Sequence, residues 1–589
     1  MRAQFRGRIR LVLGAIALIT FLIVARLYFV EVVHGQDYAL KADKQFASSG
    51  SGLFDRGSIY FTQKDGTLIS AATLATGFLV AINPQTLKDP EAAYAAIARV
   101  ASSTDLISHD AFLAAAAKKS LVYVEVAHHL DDVDGQALAA LAVPGVQVLR
   151  ERWRLYPGGD LAAQSIGIVS YGSGDTLTGQ TGLEASYDNT LSRSGDGLYK
   201  NFFAEIFSNV GNLLVSPQDA HEGDVVTTIE PEVETRLMDD LERAAKRYSS
   251  QETGGIIMDP KTGAIIALGS YPSFDPNDLA SIDPSLLRNP LVENVYEFGS
   301  IMKPLTMAAG LDADAVTPDS TYDDTGCITV NTARICNYDF KPRGTTDMTQ
   351  VIEHSLNVGA SWVATKLGQP LFRKYFESYF GNLTGIDLPD EQRGLISNLD
   401  TTQQVNFDNM SFGQGIAVTP VAMLRALAAV ANGGIMETPH LVSGIKLDSG
   451  VTRTLDWPNA GQVFSADTAR EVTKMLVTVY PNDAKLVIDS DPSAQYADVP
   501  VAAKTGTAQV ERPGGGYYSD VYFHSFFGFF PAYAPRFVIL LFTNRPQGVT
   551  YASETLTPTF MDLTNFLIDY YNIPPDPADV LPLPARVPE

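Results

Sequence analysis

A long apolar run near the start of the chain restricts its fold more than any other feature. The run LVLGAIALITFLIVARLYFV covers Leu11 to Val30, and at about 1.5 Å per residue it spans the roughly 30 Å hydrocarbon core of a bilayer. Arg26 is its only charged residue, and four arginines within residues 1–10 indicate a cytoplasmic tail. The run predicts an uncleaved transmembrane helix with everything after Val30 on the outer face. A cleaved signal peptide, the alternative, would place the chain in the same compartment.

Length and composition limit the class of protein. A chain of 589 residues, 45% hydrophobic and 19% charged, predicts two or more globular domains. A net charge of -24 argues against nucleic acid as a partner, because the phosphates would be repelled. There is no C-x-x-C pair, and the adjacent His128 and His129 would point to opposite faces of a strand. We therefore expect no structural metal site.

The two cysteines, Cys327 and Cys336, lie in the short segment CITVNTARIC. A two-residue turn centred on Asn331 and Thr332 would place them opposite each other as a non-hydrogen-bonded pair, with Cα atoms about 4.5 Å apart. Outside the cytoplasm such a pair can oxidise, and the disulfide would contribute about 2 kcal/mol to stability. The alternative is two reduced cysteines in a different local fold.

The remaining sequence divides by its patterns. Residues 31–225 mix short strand-like runs (TLISAA, FLVAI, LVYVEVA) with alanine-rich helical patterns. They carry no strong chemical motif, as is typical of a stalk or docking module. Residues 226–572 begin with a hairpin signature in GGIIMDPKTGAIIALGSYP, continue as helices, and return to strands such as RFVILLF. Residues 573–589 form a proline-rich tail. Strands, helices and strands again predict an α+β fold.

The segment YEFGSIMKP places Ser300 one helical turn before Lys303. Residues at i and i+3 share a helix face, so the amine can reach the hydroxyl and act as its general base if burial keeps it neutral. Pro304 indicates a helix that begins at or just before Ser300, and its free N–H groups could stabilise an oxyanion. The spacing suits acyl transfer. The same spacing also occurs at Ser443, so this motif alone does not decide between a nucleophile and an ordinary helix start.

Two further segments, HSLNVGA and AAKTGTA, follow this motif along the chain. They supply Ser355, Asn357, Lys504, Thr505, Gly506 and Thr507. Ser355 and Asn357 lie two residues apart and would point the same way from a loop. Gly506 would let a substrate backbone lie close to a strand. Ser-x-x-Lys, Ser-x-Asn and Lys-Thr-Gly in this order resemble the penicillin-binding protein and serine β-lactamase superfamily, in which the three motifs meet in one cleft.

The resemblance narrows to the class B penicillin-binding proteins. DRGSIYFTQKDG is similar to the R-G-x-I segment of that class, RWRLYPGGDLAAQSIG and TGLEASYD to its pedestal motifs, and SFGQGIAVTPVAMLRALAAVANGG and FHSFFGFFPA to its catalytic domain. No glycosyltransferase domain separates anchor and pedestal. SLNVG resembles the FtsI-type division enzymes more than the elongation enzymes. Phe298 and Ala503 depart from the usual proline and glycine of the class, which puts β-lactam affinity in question.

The resemblance implies a peptidoglycan D,D-transpeptidase with an elongated mixed α/β pedestal of the penicillin-binding protein dimerisation type. Its catalytic domain would be an antiparallel sheet flanked by helices, as in serine β-lactamases. Ser300 would be the nucleophile and Lys303 its base, and the N–H groups of Ser300 and Thr507 would hold the oxyanion. Ser355 and Lys504 would return the proton to the leaving D-alanine, and Asn357 would hold the donor amide. Lys504, Thr505 and Thr507 would receive the terminal carboxylate.

The implied partners are peptidoglycan stem peptides on nascent strands, β-lactams as covalent inhibitors, a membrane glycosyltransferase and other division proteins. The implied location is the plasma membrane, crossed once, with the catalytic domain on the outer or periplasmic face. Three alternatives are a membrane-bound β-lactam sensor, a serine β-lactamase and a catalytically inert division scaffold. A sensor predicts more membrane spans, a β-lactamase predicts a shorter chain, and a scaffold has no need of the intact Ser300, Lys303 and Lys504.

Overall fold

A computed structural model of the chain describes residues 56–101, 105–171, 177–193, 222–447, 449–490 and 499–576. The predicted membrane span and cytoplasmic tail lie outside these residues. None of the helices in the described ranges is both long and apolar enough to cross a bilayer.

The described strands, in chain order, are β1 (Ile59–Thr62), β2 (Leu68–Ile82), β3 (Val124–Leu130), β4 (Val146–Leu155), β5 (Val169–Tyr171), β6 (Leu177–Gly179), β7 (Asp224–Thr227), β8 (Glu252–Met258), β9 (Ile265–Tyr271), β10 (Thr321–Asp324), β11 (Cys327–Val330), β12 (Ala333–Cys336), β13 (Gly344–Asp347), β14 (Ile435–Met436), β15 (Val442–Lys446), β16 (Thr452–Thr454), β17 (Gly461–Gln462), β18 (Ala502–Glu511), β19 (Tyr517–Phe530) and β20 (Phe537–Asn544).

The described α-helices are α1 (Pro90–Val100), α2 (His109–Ala116), α3 (Asp132–Ala140), α4 (Ala163–Ile166), α5 (Gly182–Ser186), α6 (Asp188–Leu191), α7 (Pro231–Tyr248), α8 (Pro290–Glu293), α9 (Lys303–Asp312), α10 (Met348–Glu353), α11 (Asn357–Leu367), α12 (Gln369–Phe380), α13 (Gln404–Met410), α14 (Pro420–Ala431), α15 (Ala466–Val477), α16 (Tyr480–Ser490), α17 (Ala552–Thr555) and α18 (Thr557–Tyr571). Short 3₁₀ helices cover Pro284–Leu287, Gly299–Met302 and Ser397–Asp400.

The chain forms two compact units. The described part of the first unit is residues 75–101 and 105–153, where β3 and β4 both pair with β2 and helices α1 to α3 enclose a small apolar core. TLISAA and FLVAI, separate runs in the sequence, belong to the one strand β2. Asp89 and Ser108 cap α1 and α2 through their side chains, so each helix begins where a polar residue satisfies its free N–H groups.

The second unit contains a five-stranded antiparallel sheet in the order β18-β19-β20-β8-β9. The predicted hairpin is the β8-β9 pair, with Ile256 opposite Leu268. Neighbouring residues of β19 enter different apolar cores: Phe526 packs with the core that includes residues of α7 and α18, and Phe527 with the core that includes residues of α9 and α14. The sheet is therefore covered on both faces, which explains why β19 and β20 read as nearly continuous apolar runs.

A second sheet in this unit joins segments that are distant in the sequence, in the order β16-β15-β7-β1-β2. Strand β1 lies parallel to β7, with Ile59 beside Val225, and β7 pairs antiparallel with β15. The local patterns of the sequence do not predict this pairing, because each strand is short and its partner lies far along the chain.

Three of the segments quoted for the family resemblance meet around a buried carboxylate. Glu184 accepts hydrogen bonds from Arg56 Nε at 2.7 Å and from Arg154 Nε at 2.6 Å, and all three side chains are at most 2% exposed. Arg56 also pairs with Asp188, and Arg154 donates to the carbonyl of Gly57 at 2.8 Å. The carboxylate of Glu184 on α5 therefore binds both the segment just before β1 and the end of β4.

Replacing Glu184 with glutamine is expected to lower the free energy of unfolding by about 3–5 kcal/mol, because two buried guanidinium groups lose the charge that they share. Thermal unfolding followed by circular dichroism measures the effect. The matched control is Glu377→Gln, an exposed position on α12, which should change stability by less than about 0.5 kcal/mol. Equal unfolding midpoints for Glu184→Gln and the wild type would contradict a structural role for the network.

Candidate active site

Ser300 lies in the 3₁₀ turn Gly299–Met302, and helix α9 begins directly after it at Lys303. Pro304 occupies the first turn of α9, where a missing N–H group costs nothing. The predicted helix start is thus correct, with its first turn wound more tightly. Ser300 itself is half-buried. The turn requires glycine before it, because Gly299 has φ +61° and a Cβ there would lie 2.8 Å from the carbonyl oxygen of Thr507.

Lys303 is the centre of the site. Its side chain is almost fully enclosed, with the residue only 1% exposed, and its Nζ lies 2.9 Å from Ser300 Oγ. The same nitrogen lies 2.6 Å from the carbonyl oxygen of Ser355, 3.1 Å from Ser355 Oγ and 2.8 Å from Asn357 Oδ1. The structure therefore brings together four of the residues that the sequence singled out, from two segments of the chain.

Ser355 and Asn357 owe their positions to the junction between α10 and α11. Ser355 has a left-handed φ of 54°, and Asn357 is the first residue of α11. Asn357 Nδ2 donates to the carbonyl of Cys336 at 2.9 Å, which leaves its Oδ1 facing Lys303. The backbone N–H of Val358 donates to Asn337 Oδ1 at 3.1 Å, so the next residue is held by the same segment.

The segment that holds Asn357 belongs to the hairpin of β11 and β12. Its register pairs Cys327 with Cys336 and Ile328 with Ile335, as predicted, and Asn331 in the turn has a left-handed φ of 57°. The structure joins the two cysteines in a disulfide. This bond closes the open end of the hairpin at the residue whose carbonyl accepts from Asn357.

Lys504, Thr505, Gly506 and Thr507 lie on β18, an edge strand of the five-stranded sheet. Lys504 is 1% exposed, and its Nζ donates to the carbonyl of Thr505 at 3.1 Å. Thr507 Oγ1 accepts from the N–H of Ala552 at 3.1 Å. In the described residues no direct hydrogen bond joins Lys504 with the Lys303 cluster.

Close packing explains the glycine of the Lys-Thr-Gly segment. A Cβ on Gly506 would lie 2.3 Å from Ser525 Oγ and 2.5 Å from the carbonyl oxygen of Phe298. Ser525 donates to that same carbonyl at 2.8 Å, and thereby links β19 with the turn that carries Ser300. Gly506 thus lets β18 approach the turn that carries Ser300. The sequence patterns did not predict this role of the glycine.

Burial and mutual repulsion set the protonation of the two lysines. Burial, together with the nearby charge of Lys504, lowers the pKa of Lys303 well below its usual value. Burial also lowers the pKa of Lys504, to about 8, while the carboxylate of Asp483 opposes the shift. Lys303 therefore loses its proton more readily than an exposed lysine, and Lys504 is mostly charged below about pH 8.

A neutral amine fits the contacts of Lys303. It has two N–H groups and one lone pair, and the carbonyl of Ser355 and Oδ1 of Asn357 can only accept. If these two take the N–H groups, the lone pair is left for a hydroxyl proton, either from Ser300 or from Ser355. The arrangement can thus remove a proton from a serine nucleophile, as acyl transfer requires.

Several positions lie outside this cluster or had no predicted role. Ser443, the other serine of a Ser-x-x-Lys motif, lies on strand β15 and donates to the carbonyl of Val226 at 3.0 Å. Asn337 holds the backbone beside Asn357, and Ser525 holds the turn that carries Ser300. The sequence patterns predicted a role for neither residue, although each lies within or next to a segment quoted above. Phe298 is fully buried, with its ring against Tyr296 and Phe523.

Comparison with known families identifies the class. The penicillin binding protein transpeptidase domain matches residues 253–565, and the penicillin-binding protein dimerisation domain matches residues 55–200. The chain belongs to the penicillin-binding proteins of class B, which are serine acyltransferases of the transpeptidase type. The presence of the dimerisation domain favours a transpeptidase over a β-lactam sensor or a serine β-lactamase.

Individual relatives are similar over most of their length. Stage V sporulation protein D of Bacillus subtilis is 28% identical over 550 residues, which cover 91% of this chain and 82% of that protein. A probable peptidoglycan D,D-transpeptidase, PenA of Neisseria gonorrhoeae, is 24% identical over 97% of this chain and 94% of its own. Penicillin-binding protein PbpB of Mycolicibacterium smegmatis is 28% identical over 80% and 73% of the two chains.

Solved structures share the fold. Penicillin-binding protein 2X of Streptococcus thermophilus superposes with a TM-score of 0.69 at 22% identity, over 88% of this chain and 80% of that one. Penicillin-binding protein 3 of Mycobacterium tuberculosis, solved in complex with aztreonam, gives a TM-score of 0.62 at 26% identity over 73% and 92% of the two chains. The two-domain penicillin-binding protein fold is therefore that of this chain.

Proposed function

We propose that this chain is a peptidoglycan D,D-transpeptidase that cross-links stem peptides through an acyl-serine intermediate. The observation that carries the proposal is the cluster in which Lys303 Nζ lies 2.9 Å from Ser300 Oγ and within hydrogen-bond distance of Ser355 and Asn357. Relatives named as peptidoglycan D,D-transpeptidases support the substrate. β-Lactams would acylate Ser300 as covalent inhibitors, in line with the relative solved with aztreonam.

The first half of the reaction forms the acyl-enzyme. Ser300 Oγ attacks the carbonyl between the two terminal D-alanines, while its proton passes to the lone pair of Lys303. The N–H groups of Ser300 and Thr507 hold the oxyanion, and the close approach of Gly299 to Thr507 supports this pairing. The C–N bond then breaks, and Ser355 and Lys504 relay a proton to the amine of the leaving D-alanine. Ser355 is reprotonated by Lys303, whose Nζ lies 3.1 Å from Ser355 Oγ and carries the proton from Ser300.

The second half transfers the acyl group. Asn357 still holds the donor amide, whereas the terminal carboxylate has left with D-alanine. Lys504, Thr505 and Thr507 receive that carboxylate during the first half, since a charged ammonium is its natural partner. An amine from a neighbouring strand then attacks the acyl-serine carbonyl, forms the cross-link and returns the hydroxyl to Ser300. No step requires a metal or an organic cofactor.

Location and partners follow from the sequence expectations. We propose a single plasma-membrane span at Leu11 to Val30, a pedestal over residues 31–225 and a transpeptidase domain over residues 226–572, on the outer or periplasmic face. A membrane glycosyltransferase and other division proteins would supply the nascent strands. The FtsI-type likeness of SLNVG favours septal over lateral wall synthesis.

The rate of acylation is expected to depend on pH as a bell-shaped curve. Lys303 must be neutral to accept a proton, so the rate should rise with pH through its lowered pKa. Lys504 must be charged to hold a carboxylate, so the rate should fall above its pKa of about 8. Stopped-flow acylation by a chromogenic β-lactam that carries a carboxylate measures both limbs. A rate that does not fall as the pH rises through about 8 would contradict the role of Lys504, and a rate that does not fall on the acid side would contradict that of Lys303.

The experiment that tests the function is the incubation of the full chain, in detergent, with a donor peptide that ends in D-Ala-D-Ala and with a peptide amine as acceptor. We expect release of D-alanine and a product whose mass equals donor plus acceptor minus one D-alanine. A Ser300→Ala variant should give neither. If the folded wild type neither reacts with penicillin nor releases D-alanine, even beside a glycosyltransferase partner, the inert scaffold is the better description.

A further inference from the structure

A cavity of about 440 Å³ lies apart from the residues of the active site. It is lined by Asp312, Lys374, Tyr375, Ser378, Tyr379, Asn382, Arg425, Ala460, Gln462 and Val463. Asp312 is the last residue of α9, which begins at Lys303, so the cavity lies roughly 13 Å along the helix axis from the active-site amine. The proposed transpeptidation uses none of its lining residues.

The cavity contains a buried cation. Arg425 on α14 is only 6% exposed, and its guanidinium donates to the carbonyl oxygens of Glu437 at 3.2 Å and Leu383 at 3.4 Å. Among the described residues no carboxylate lies within 4 Å of it. Burying a charge is costly unless an opposite charge compensates for it, and carbonyl dipoles do so only in part.

Two further side chains add to the positive and donor character of the wall. Lys374 on α12 brings a second cation on an exposed stem. Tyr379, five residues further along α12, is 2% exposed, and its buried hydroxyl has no hydrogen-bond partner within the described structure. A buried hydroxyl without a partner costs about 1–3 kcal/mol, so a ligand that accepts its proton would be favoured.

Asp312, the acidic residue that lines the cavity, already accepts hydrogen bonds from three groups. Asp312 accepts from the hydroxyl of Tyr375 at 2.6 Å, from the N–H of Ser465 at 2.7 Å and from the hydroxyl of Thr468 at 3.2 Å. Glu391, whose charge acts on Arg425 from further away, likewise accepts from backbone N–H groups, that of Thr384 at 2.7 Å among them. Neither carboxylate forms an ion pair with the two cations.

We propose that this cavity is a binding site for a small oxyanion, a phosphate or a carboxylate group held by Arg425, Lys374 and the hydroxyl of Tyr379. The planar fork of an arginine matches both groups, and the lysine supplies a second charge. Two cations in one cavity stand against the net charge of -24 of the whole chain. The proposal is independent of transpeptidation. The two sources of such a group are a phosphorylated ligand and the carboxylate of an amino acid or peptide.

Isothermal titration calorimetry of the full chain in low-salt buffer tests the site. Sodium phosphate is the probe in one arm and sodium acetate in the other, and the tighter of the two identifies the source. We expect saturable binding of at least one probe, with Kd raised about tenfold by Lys374→Ala and likewise by Tyr379→Phe, because each loses a contact to a charged group. Tyr379→Phe removes only a hydroxyl without a partner, so its unfolding midpoint should not fall.

The matched control is Lys118→Ala, which removes one exposed positive charge from the other compact unit and should leave the Kd unchanged. Absence of saturable binding for both anions would overturn the proposal. It would be overturned equally if Lys374→Ala and Tyr379→Phe bound the anion within about twofold of the wild type, or if Lys118→Ala weakened binding as much as they do.

Discussion

Replacing Ser300 with alanine is expected to abolish covalent labelling by penicillin. The wild type should gain the mass of one penicilloyl group, because Ser300 Oγ lies 2.9 Å from the amine that removes its proton. Alanine has no atom that could form the ester, and loss of a serine nucleophile typically lowers turnover by about a million-fold. Intact-mass spectrometry of the full chain after incubation with fluorescent penicillin measures the result.

The chain offers its own control for this experiment. Ser443 has the same spacing to a lysine, but it lies on strand β15 and donates to a backbone carbonyl. Ser443→Ala should therefore be labelled as rapidly as the wild type. Full labelling of a folded Ser300→Ala variant would show that another residue is the nucleophile. If neither the wild type nor the variant is labelled, Phe298 and Ala503 become the first positions to change.

The second large effect is expected at Lys303. Replacement by methionine keeps the length and the burial of the side chain but removes the base, and general-base catalysis is worth about 10²- to 10⁴-fold in rate. We expect acylation to slow by about a thousand-fold. The rising limb of the pH profile should disappear with it, since no group with the lowered pKa of Lys303 remains. Single-turnover acylation, followed by mass over hours, measures both.

Lys366→Met on the neighbouring helix α11 is the matched control, because it removes an exposed ammonium and leaves the cluster intact. Its rate should equal that of the wild type. A Lys303→Met variant that is acylated within tenfold of the wild type, with circular dichroism showing an intact fold, would assign the base to another residue. Ser355 and Lys504 would then be the next candidates.

The sequence predicted the parts of this molecule whose signals are local. The start of a helix at Ser300 follows from the proline after Lys303, and the register of the disulfide hairpin follows from its two-residue turn. The hairpin of β8 and β9 could be predicted because its turn signal is also local. The family resemblance also predicted that three distant segments meet in one cleft, which the spacing of the motifs alone does not indicate.

Other interactions between distant segments were not predicted. The amide of Asn357 depends on the carbonyl of Cys336, and any residue type has a carbonyl, so no side-chain pattern marks the contact. Gly506 was assigned to substrate access, whereas its missing Cβ makes room for Phe298 and Ser525. The shared carboxylate of Glu184 likewise depends on two arginines that lie 128 and 30 residues away along the chain.

The sheet that begins with β1 also constrains how the chain can be made. Thr62 on β1 donates to the carbonyl of Thr227 across 165 residues, and Ser443 on β15 donates to that of Val226 across 217. A ribosome makes β2, the neighbour of β1 on one side, almost at once. It makes β7, the neighbour on the other side, long afterwards, and β15, which pairs with β7, later still. At about 5–20 residues per second the first strand waits for many seconds with an open edge.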